Sequence, residues 1–395
     1  MLTFFSLRGR SNGYWMLLVA LALIFLFGLL AAYHMESEGH RVTGMSNQVM
    51  WGIPHVAAVF LILAASGVLH VASMASVFRR NVYKPLARLS GLLSIALLLG
   101  GLLVLVLDLG RPDRLIVAMT TFNFRSIFAW NIFLYMGFML LIAVYLWVMF
   151  EPRMNRYVGA VGVLAFSWRL VLTTGTGSIF ALLMAREAYD TVIMVPLFIL
   201  HSLSLGTAVF LLVAGAAFRS GEITFDPVLL QRLSRLLGWF VVAVLSMVTI
   251  YHLANFYIAG HREIERFILQ EGGVYTALFW GGQVILGSLV PAYLLLQRKS
   301  VYLPRVLLAA ALVVFGGFAQ IYVLIIGGQV YPLRIVLGYK VLGGWPGHKI
   351  AEYLPTLPEF GLGFGGLAFA LLLTLVGLRV LPFLPAGNKT ASQVD

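Results

Sequence analysis

Apolar segments long enough to cross a membrane recur along the whole sequence. A helix that crosses the hydrocarbon core of a bilayer needs about 20 predominantly apolar residues. About ten segments meet this requirement, at 14–33, 51–78, 86–108, 126–150, 158–184, 191–218, 233–258, 275–297, 304–326 and 360–382. Because 61% of the residues are hydrophobic and 11% are charged, neither a soluble globular chain nor a disordered chain fits. The sequence predicts an all-α polytopic membrane protein.

The basic residues indicate how these spans are oriented. Lys and Arg are concentrated before the first span and after every second one, as in Arg79-Arg80 and Arg153. Loops rich in Lys and Arg remain in the cytoplasm, so both termini are predicted to be cytoplasmic, in the inner membrane. The longer polar loops then lie outside, at 34–50, 109–125, 185–190, 259–274 and 327–359. The net charge of +12 thus reflects topology, and no nucleic-acid partner is predicted.

The sequence contains no cysteine. This excludes disulfides, thiolate-bound iron–sulfur clusters and covalent haem attachment in this chain. No cluster of metal ligands is apparent, and no two histidines recur on one predicted helix at a spacing typical of haem ligands. We therefore predict no metal, haem or iron–sulfur cluster bound by this chain. A haem-containing quinol oxidase subunit remains an alternative.

Polar side chains share one depth, in the outer part of seven predicted spans. Ionisable groups inside spans are costly and are candidates for function. The set consists of His55, Asp108, Asn131, His201, Tyr251, His252, Asn255, Gln283 and Gln320. For each residue alone, an interfacial position or a bond to a neighbouring helix is the simpler explanation. The shared depth favours one site near the outer face.

A second polar group lies deeper. Arg169 is near the middle of the fifth span, and Thr173 and Thr176 follow it; His70 lies in the inner half of the second span. A charge at mid-membrane must face the bundle interior or a water-filled cavity. These residues are predicted to line a proton path, although close helix packing would also explain the small side chains.

Three motifs carry a resemblance to a known family. Trp51-Gly52-Ile53-Pro54, Asp108-Leu109-Gly110-Arg111-Pro112 and Asn123-Phe124-Arg125-Ser126 resemble the NrfD/PsrC family, the membrane subunits of polysulfide reductase-like complexes. Two outer segments, Met35–Met45 and Gly343–His348, look most like the DsrP subgroup, which is linked to dissimilatory sulfite reductase.

The resemblance implies a fold of two four-helix bundles with flanking helices. We expect a first span and outer loop at 1–50, bundles at 51–190 and 191–326, and a loop, last span and tail at 327–395. It also implies a bound quinone, either menaquinone or ubiquinone, near the outer face. The implied partners are a periplasmic iron–sulfur subunit, a multihaem cytochrome and further membrane subunits.

From both lines of reasoning we expect a quinone-interacting subunit of a respiratory complex in dissimilatory sulfur metabolism. The expected roles are proton exchange by His55 and Asp108, quinone binding by Trp51, Arg111, Asn131, His201 and Gln283, and partner docking by Arg125 and Asp113, which could also bind each other. Relatives often have a glutamate where this chain has Gln283, which weakens a proton-transfer role there.

Two alternatives from other classes remain. A secondary transporter would also explain ten spans and the buried Arg169, but transporters favour a site at mid-membrane. A non-catalytic anchor of a redox complex would explain the spans without quinone chemistry.

Overall fold

Ten long helices make up most of the protein. The computed structural model describes residues 3–7, 9, 11–221, 223–297, 302–332 and 349–386. In this part of the chain, ten helices are long and apolar enough to cross a membrane. They are α1 (Asn12–Glu38), α2 (Ile53–Ser76), α3 (Lys84–Leu107), α4 (Ile127–Phe150), α5 (Val158–Ala181), α6 (Met194–Ser220), α7 (Pro227–Tyr257), α8 (Val274–Leu296), α9 (Leu303–Val330) and α10 (Leu357–Val380). The predicted all-α polytopic class is confirmed.

The helices form two rings of four. Helices α2 to α5 pack around one another, with α2 against α3 and α5, and α4 against α3 and α5. Helices α6 to α9 repeat this arrangement, with α6 against α7 and α9, and α8 against α7 and α9. The bundles meet where α2 crosses α6, and α10 packs on the first bundle with α1 outside it. The predicted two bundles with flanking helices are therefore observed.

Two glycines allow the bundles to approach closely. A Cβ atom on Gly67 of α2 would lie 1.7 Å from the carbonyl oxygen of Ser202 in α6. A Cβ atom on Gly206 of α6 would lie 2.1 Å from the carbonyl carbon of Gly67. Any larger residue at either position would force the helices apart, as expected at a tight helix crossing inside a membrane.

Both ends of the described chain lie on one side of the helices. Strand β1 (Phe4–Phe5) pairs antiparallel with β2 (Leu384–Pro385). We call this side, which also carries the loops after α2, α4, α6 and α8, the basic side. The other side, which we call the opposite side, carries the longer polar loops.

Some element boundaries differ from the prediction. Helix α7 begins at Pro227 rather than 233, because Asp226 caps it by accepting a hydrogen bond from the Val228 N–H. Helix α9 continues to Val330, past the end predicted at 326. Helix α8 is π-helical over Leu278–Leu289; such segments in longer helices are frequent at functional sites. The Gly343–His348 motif lies outside the described residues.

Candidate functional site

His55 and Asp108 come together on the opposite side of the first bundle. His55 is in the first turn of α2, and Asp108 directly follows the last turn of α3. The His55 Nδ1 and Asp108 Oδ2 atoms are 2.7 Å apart, and the two side chains are 25% and 1% exposed. The atoms are close but not aligned for a hydrogen bond, and both Asp108 oxygens lack a hydrogen-bond partner among the described residues. A buried carboxylate with free oxygens beside an imidazole can exchange protons.

The turn after Asp108 explains its motif and brings in a residue that the sequence did not single out. Gly110 has a φ of 69°, a conformation that favours glycine, and Pro112 starts a short 3₁₀ turn. The His40 Nε2 atom lies 3.2 Å from the Asp108 backbone oxygen and 3.9 Å from Asp108 Oδ1. The sequence did not indicate His40 as a site residue, because it lies after the end of α1 and therefore outside the predicted spans.

Trp51 forms an aromatic wall beside the pair. Its ring centroid is 6.2 Å from that of His55 and 6.2 Å from that of Phe128. It also meets the edge of Phe180 at 5.7 Å and stacks on the buried Tyr189 at 6.4 Å. A half-buried indole held by aromatic neighbours offers a flat apolar surface next to the proton-exchanging groups.

The second bundle holds the segment before α2 in place. The Gln329 side chain of α9 accepts hydrogen bonds from the N–H groups of Met50 and Trp51 and donates one to the Trp51 carbonyl. Arg186 donates to the carbonyl oxygens of Gln329, at 2.7 Å, and of Gln48, at 2.6 Å. No pattern in the sequence pointed to Gln329, because it lies beyond the predicted end of its span.

Helix α10 fixes the start of α2. The Ile53 N–H donates to the Tyr353 hydroxyl at 2.8 Å, and Tyr353 donates to the fully buried Glu359. Glu359 also accepts the Gly44 N–H at 2.5 Å. Burial and the Glu359 carboxylate raise the pKa of Tyr353, so its hydroxyl remains a donor. A Cβ atom on Gly52 would lie 2.6 Å from Glu359 Oε2, which explains the glycine of the Trp-Gly-Ile-Pro motif.

Arg111 and Asp113 bind each other. The Arg111 Nη2 and Asp113 Oδ2 atoms are 3.0 Å apart, and both side chains are exposed. The hydrogen bond from Arg111 holds the pKa of Asp113 below its usual value. Of the two alternatives for Arg125, the pairing with Asp113 is not observed, because Arg111, two residues away, binds this carboxylate. The Arg125 backbone N–H binds Asn123 Oδ1, and docking of Arg125 on a partner stays a prediction. Arg111 points to the surface, and its described bonds give no contact to the His55–Asp108 pair.

Asn131 links α4 to α5. Its Nδ2 donates to the carbonyl oxygens of Ile127, at 2.9 Å, and Gly175, at 3.1 Å, while its buried Oδ1 has no hydrogen-bond partner among the described residues. These contacts describe a helix–helix link, so a role in binding quinone rests on the free Oδ1 alone.

His201 and Gln283 lie in the second bundle and not beside Asp108. They line a cavity of about 10 Å³ together with Ser288 and Gln320. Pockets for small molecules usually measure about 300–1,000 Å³, and a single water needs about 10–15 Å³. The single site expected from the shared depth is thus divided between the two bundles. This cavity is far smaller than a quinone ring, so quinone binding by these two residues stays a prediction that this geometry does not support.

The residues of the predicted proton path connect α2, α5 and α6. The Arg169 Nη1 donates to the Ser66 carbonyl at 3.0 Å, and Thr173 Oγ1 lies 2.6 Å from Ser66 Oγ. His70, one turn after Ser66, has its Nε2 atom 3.3 Å from Thr207 Oγ1 in α6. Thr176 donates to the Leu172 carbonyl and also shares a side-chain hydrogen bond with Tyr135 of α4. The buried Arg169 faces the bundle interior, as expected.

A second histidine–carboxylate pair lies at the same side of the second bundle. His252 Nδ1 of α7 is 2.6 Å from Glu265 Oε2, and the Asn255 Nδ2 donates to Glu265 Oε1 at 2.9 Å. His261 Nδ1 lies 3.3 Å from Asn255 Oδ1, and the Phe279 ring packs on His252. Glu265 was missed because it lies in the loop after α7, which folds back onto the helix.

Comparison with known proteins assigns the family. The family model for polysulphide reductase, NrfD, matches residues 41–332. The chain belongs to the NrfD family. The matched region contains both four-helix bundles and both histidine–carboxylate pairs. Helices α1 and α10, with Glu359, lie outside the matched NrfD region.

Individual relatives align along nearly the whole chain. An Hdr-like menaquinol oxidoreductase integral membrane subunit of Archaeoglobus fulgidus is 29% identical over 391 residues, which cover 97% of this chain and 96% of that protein. A putative dimethyl sulfoxide reductase membrane subunit of Halobacterium salinarum is 28% identical over 412 residues, covering 95% and 93%. A selenate reductase subunit of Mesobacillus selenatarsenatis is 23% identical over 405 residues, covering 92% of each chain.

No group of three or more potential metal ligands occurs in the part of the chain that the structure describes.

Proposed function

We propose that this protein is the quinone-interacting membrane subunit of a redox complex. In this role it passes electrons between the membrane quinone pool and a partner subunit on the opposite side, which is the extracytoplasmic side. The observation that carries the proposal is the His55–Asp108 pair, in which a buried carboxylate has two oxygens without a hydrogen-bond donor. A buried carboxylate whose oxygens accept no aligned hydrogen bond is costly even beside an imidazole, and a ligand hydroxyl would satisfy it.

The residues around the pair fit a quinol. A quinol supplies two electrons and two protons when it is oxidised. The free Asp108 oxygens can accept a hydroxyl proton, and His55, which is 25% exposed and 2.7 Å from Asp108, can carry a proton towards the surface. Trp51 provides a flat wall for an aromatic ring. Menaquinol and ubiquinol both present this combination of a planar ring and hydroxyl groups.

Electrons must leave this chain through another subunit. The sequence has no cysteine to hold an iron–sulfur cluster. We propose that a periplasmic iron–sulfur subunit, associated with a multihaem cytochrome, docks on the polar loops near Asp113 and Arg125. The names of the relatives support such an assembly, since all three are named as subunits of oxidoreductases or reductases and two of them as membrane subunits.

The deeper polar residues extend the proposal. Ser66, Thr173 and Arg169 form a buried chain of hydrogen bonds, and His70 lies one helical turn further towards the basic side. We propose that these groups, with Thr176, conduct protons between the pair and the cytoplasm. The likeness of Met35–Met45 to the DsrP subgroup supports a place in dissimilatory sulfur metabolism, in the cytoplasmic membrane.

The test is quinol oxidation by the purified complex that contains this chain. Asp108→Asn and His55→Ala should each abolish most of the activity while the complex still assembles. Loss of activity in an assembled complex also argues against a purely structural anchor. Full activity in both variants would reject the site.

A further inference from the structure

A second, larger pocket opens on the basic side of the first bundle, far along the helices from the His55–Asp108 pair. It lies between the end of α2, the start of α3, the end of α4 and the start of α5, and its volume is about 780 Å³. This volume falls within the range of ligand pockets, about 300–1,000 Å³. The pocket lies where the helices emerge from the apolar layer.

Three cations line this pocket, which we call the basic pocket. They are Arg79, Lys84 and Arg88. No carboxylate lines it among the described residues, and none of the three forms a salt bridge within the described chain. The neighbouring Glu151 caps the short helical turn that follows it by accepting a hydrogen bond from the Arg153 N–H. The pocket therefore concentrates positive charge that no salt bridge within the described chain neutralises.

Arg88 is held rigidly. Its guanidinium donates to the carbonyl oxygens of Met149, at 2.9 Å, and Pro382, at 3.2 Å. It also lies over the rings of Phe4, at 4.1 Å, and Phe150, at 4.6 Å. Carbonyl and ring contacts fix the side chain but leave its full charge, so the back of the basic pocket has a permanent positive field.

Arg79 has an unusual backbone. Its φ of 54° is the one left-handed angle of a non-glycine residue in the described chain. Glycine is the usual residue at such a helix end, and another residue in this conformation is strained. Arg80 then bonds back to the Met74 carbonyl. An arginine in a position that favours glycine points to a need for its side chain.

The floor of the pocket is apolar. Ala75, Ala87 and Met149 are buried and line it. Two of the polar residues that line it, Tyr145 and Ser76, bind each other at 2.8 Å. A cationic rim above an apolar floor at the membrane boundary matches a molecule with an anionic head and a hydrocarbon tail.

We propose that the basic pocket binds one anionic phospholipid of the leaflet on the basic side. Its phosphate lies between Arg79 and Lys84, and its chains pass over Ala75 and Met149. Basic pockets between transmembrane helices on the cytoplasmic side are suited to anionic headgroups. A free phosphate would use the rim but not the apolar floor.

The test measures lipid retained by the full-length chain with native mass spectrometry. The chain is exposed to phosphatidylglycerol and phosphatidylcholine with identical acyl chains. We expect a preference for phosphatidylglycerol. The double variant Arg79→Gln/Lys84→Gln should weaken this binding about 30-fold, since each basic side chain near a membrane surface contributes about 1 kcal/mol and a tenfold change is about 1.4 kcal/mol.

Two variants separate binding from folding and from general charge. Arg219→Gln/Arg235→Gln removes the same charge from exposed positions on the same side of the second bundle, and it should bind as the unchanged chain does. Arg79→Gly supplies the residue that the backbone favours, so it should fold normally and still lose lipid. Equal retention of both lipids, equal loss in the Arg219/Arg235 variant, or displacement by inorganic phosphate would overturn the proposal.

Discussion

The two bundles each hold a histidine beside a carboxylate on the opposite side, but the two pairs differ in how complete they are. In the second bundle, both Glu265 oxygens are bonded, to His252 and Asn255, and the side chains of His252 and Glu265 are 13% and 0% exposed. In the first bundle, both Asp108 oxygens lack a hydrogen bond among the described residues, and His55 is 25% exposed. We therefore call His252–Glu265 the closed pair and His55–Asp108 the open pair.

This difference suggests that one pair stabilises the fold and that the other takes part in the reaction. A buried polar network in which every group is bonded makes its surroundings rigid, whereas unsatisfied groups are costly. Phe279 covers the closed pair, while the open pair faces the half-buried Trp51. We infer that the second pair holds the loop after α7 to its helix and that the first pair serves the chemistry.

The strongest test of this division of roles is to neutralise one carboxylate at a time. Asp108→Asn should lower quinol oxidation by about 10²–10⁴-fold, the usual contribution of a proton-transferring side chain. Glu265→Gln, the matched change in the closed pair, should lower it less than about tenfold on the same scale. Steady-state rates of the assembled complex decide the matter. Equal losses in the two variants would contradict the division of roles.

Removing the closed carboxylate should instead destabilise the fold. Glu265→Ala leaves His252 and Asn255 buried without their partner, and breaking a buried pair costs about 3–5 kcal/mol. Asp108→Ala should cost less, because it removes the contact with the partly exposed His55 but no hydrogen bond of the Asp108 oxygens. Unfolding of the purified chain in mixed micelles with increasing denaturing detergent measures both. Greater destabilisation by Asp108→Ala would show that the open pair also serves the fold.

Two glycines with a positive φ test whether geometry at the open pair matters. Gly110 has a φ of 69° and Gly273 a φ of 57°. Alanine at either position adds strain of about 1–2 kcal/mol. Gly110→Ala should also move Asp108 relative to His55 and reduce activity about tenfold, a loss worth about 1.4 kcal/mol, whereas Gly273→Ala should affect stability only. An unchanged rate in Gly110→Ala would show that the pair tolerates displacement.

The sequence predicted the helices better than it predicted the partners within the site. Runs of apolar residues define spans because the membrane demands about 20 of them, and Asp108 and His55 were recognisable because they end or begin such spans. Glu265 and His40 were not, because they lie in loops whose return path depends on tertiary contacts. Depth alone also placed His201 with Asp108, although which helices face each other separates them into two bundles.

The contact between the bundles offers a smaller test. Gln329→Leu removes three hydrogen bonds to the segment that carries Trp51. Each bond is worth about 0.5–1.5 kcal/mol, and a looser Trp51 should raise the KM for quinol about tenfold with a smaller change in kcat. Gln297→Leu, at an exposed position on the basic side, is the control. A lower kcat with an unchanged KM would show that Gln329 acts on the His55–Asp108 pair and not on Trp51.

The smallest effect is expected at His40, which approaches Asp108 from the loop after α1. Its ring lies 3.9 Å from the nearer Asp108 oxygen, further than His55 at 2.7 Å, and its side chain is 37% exposed. His40→Ala should therefore slow quinol oxidation only about threefold, far below the 10²–10⁴-fold typical of a direct proton-transfer group. His34→Ala, on the exposed end of α1, should leave the rate unchanged. If His40→Ala proved as damaging as His55→Ala, the open pair would be a triad in which both imidazoles serve Asp108, and its contrast with the closed pair would be greater than proposed.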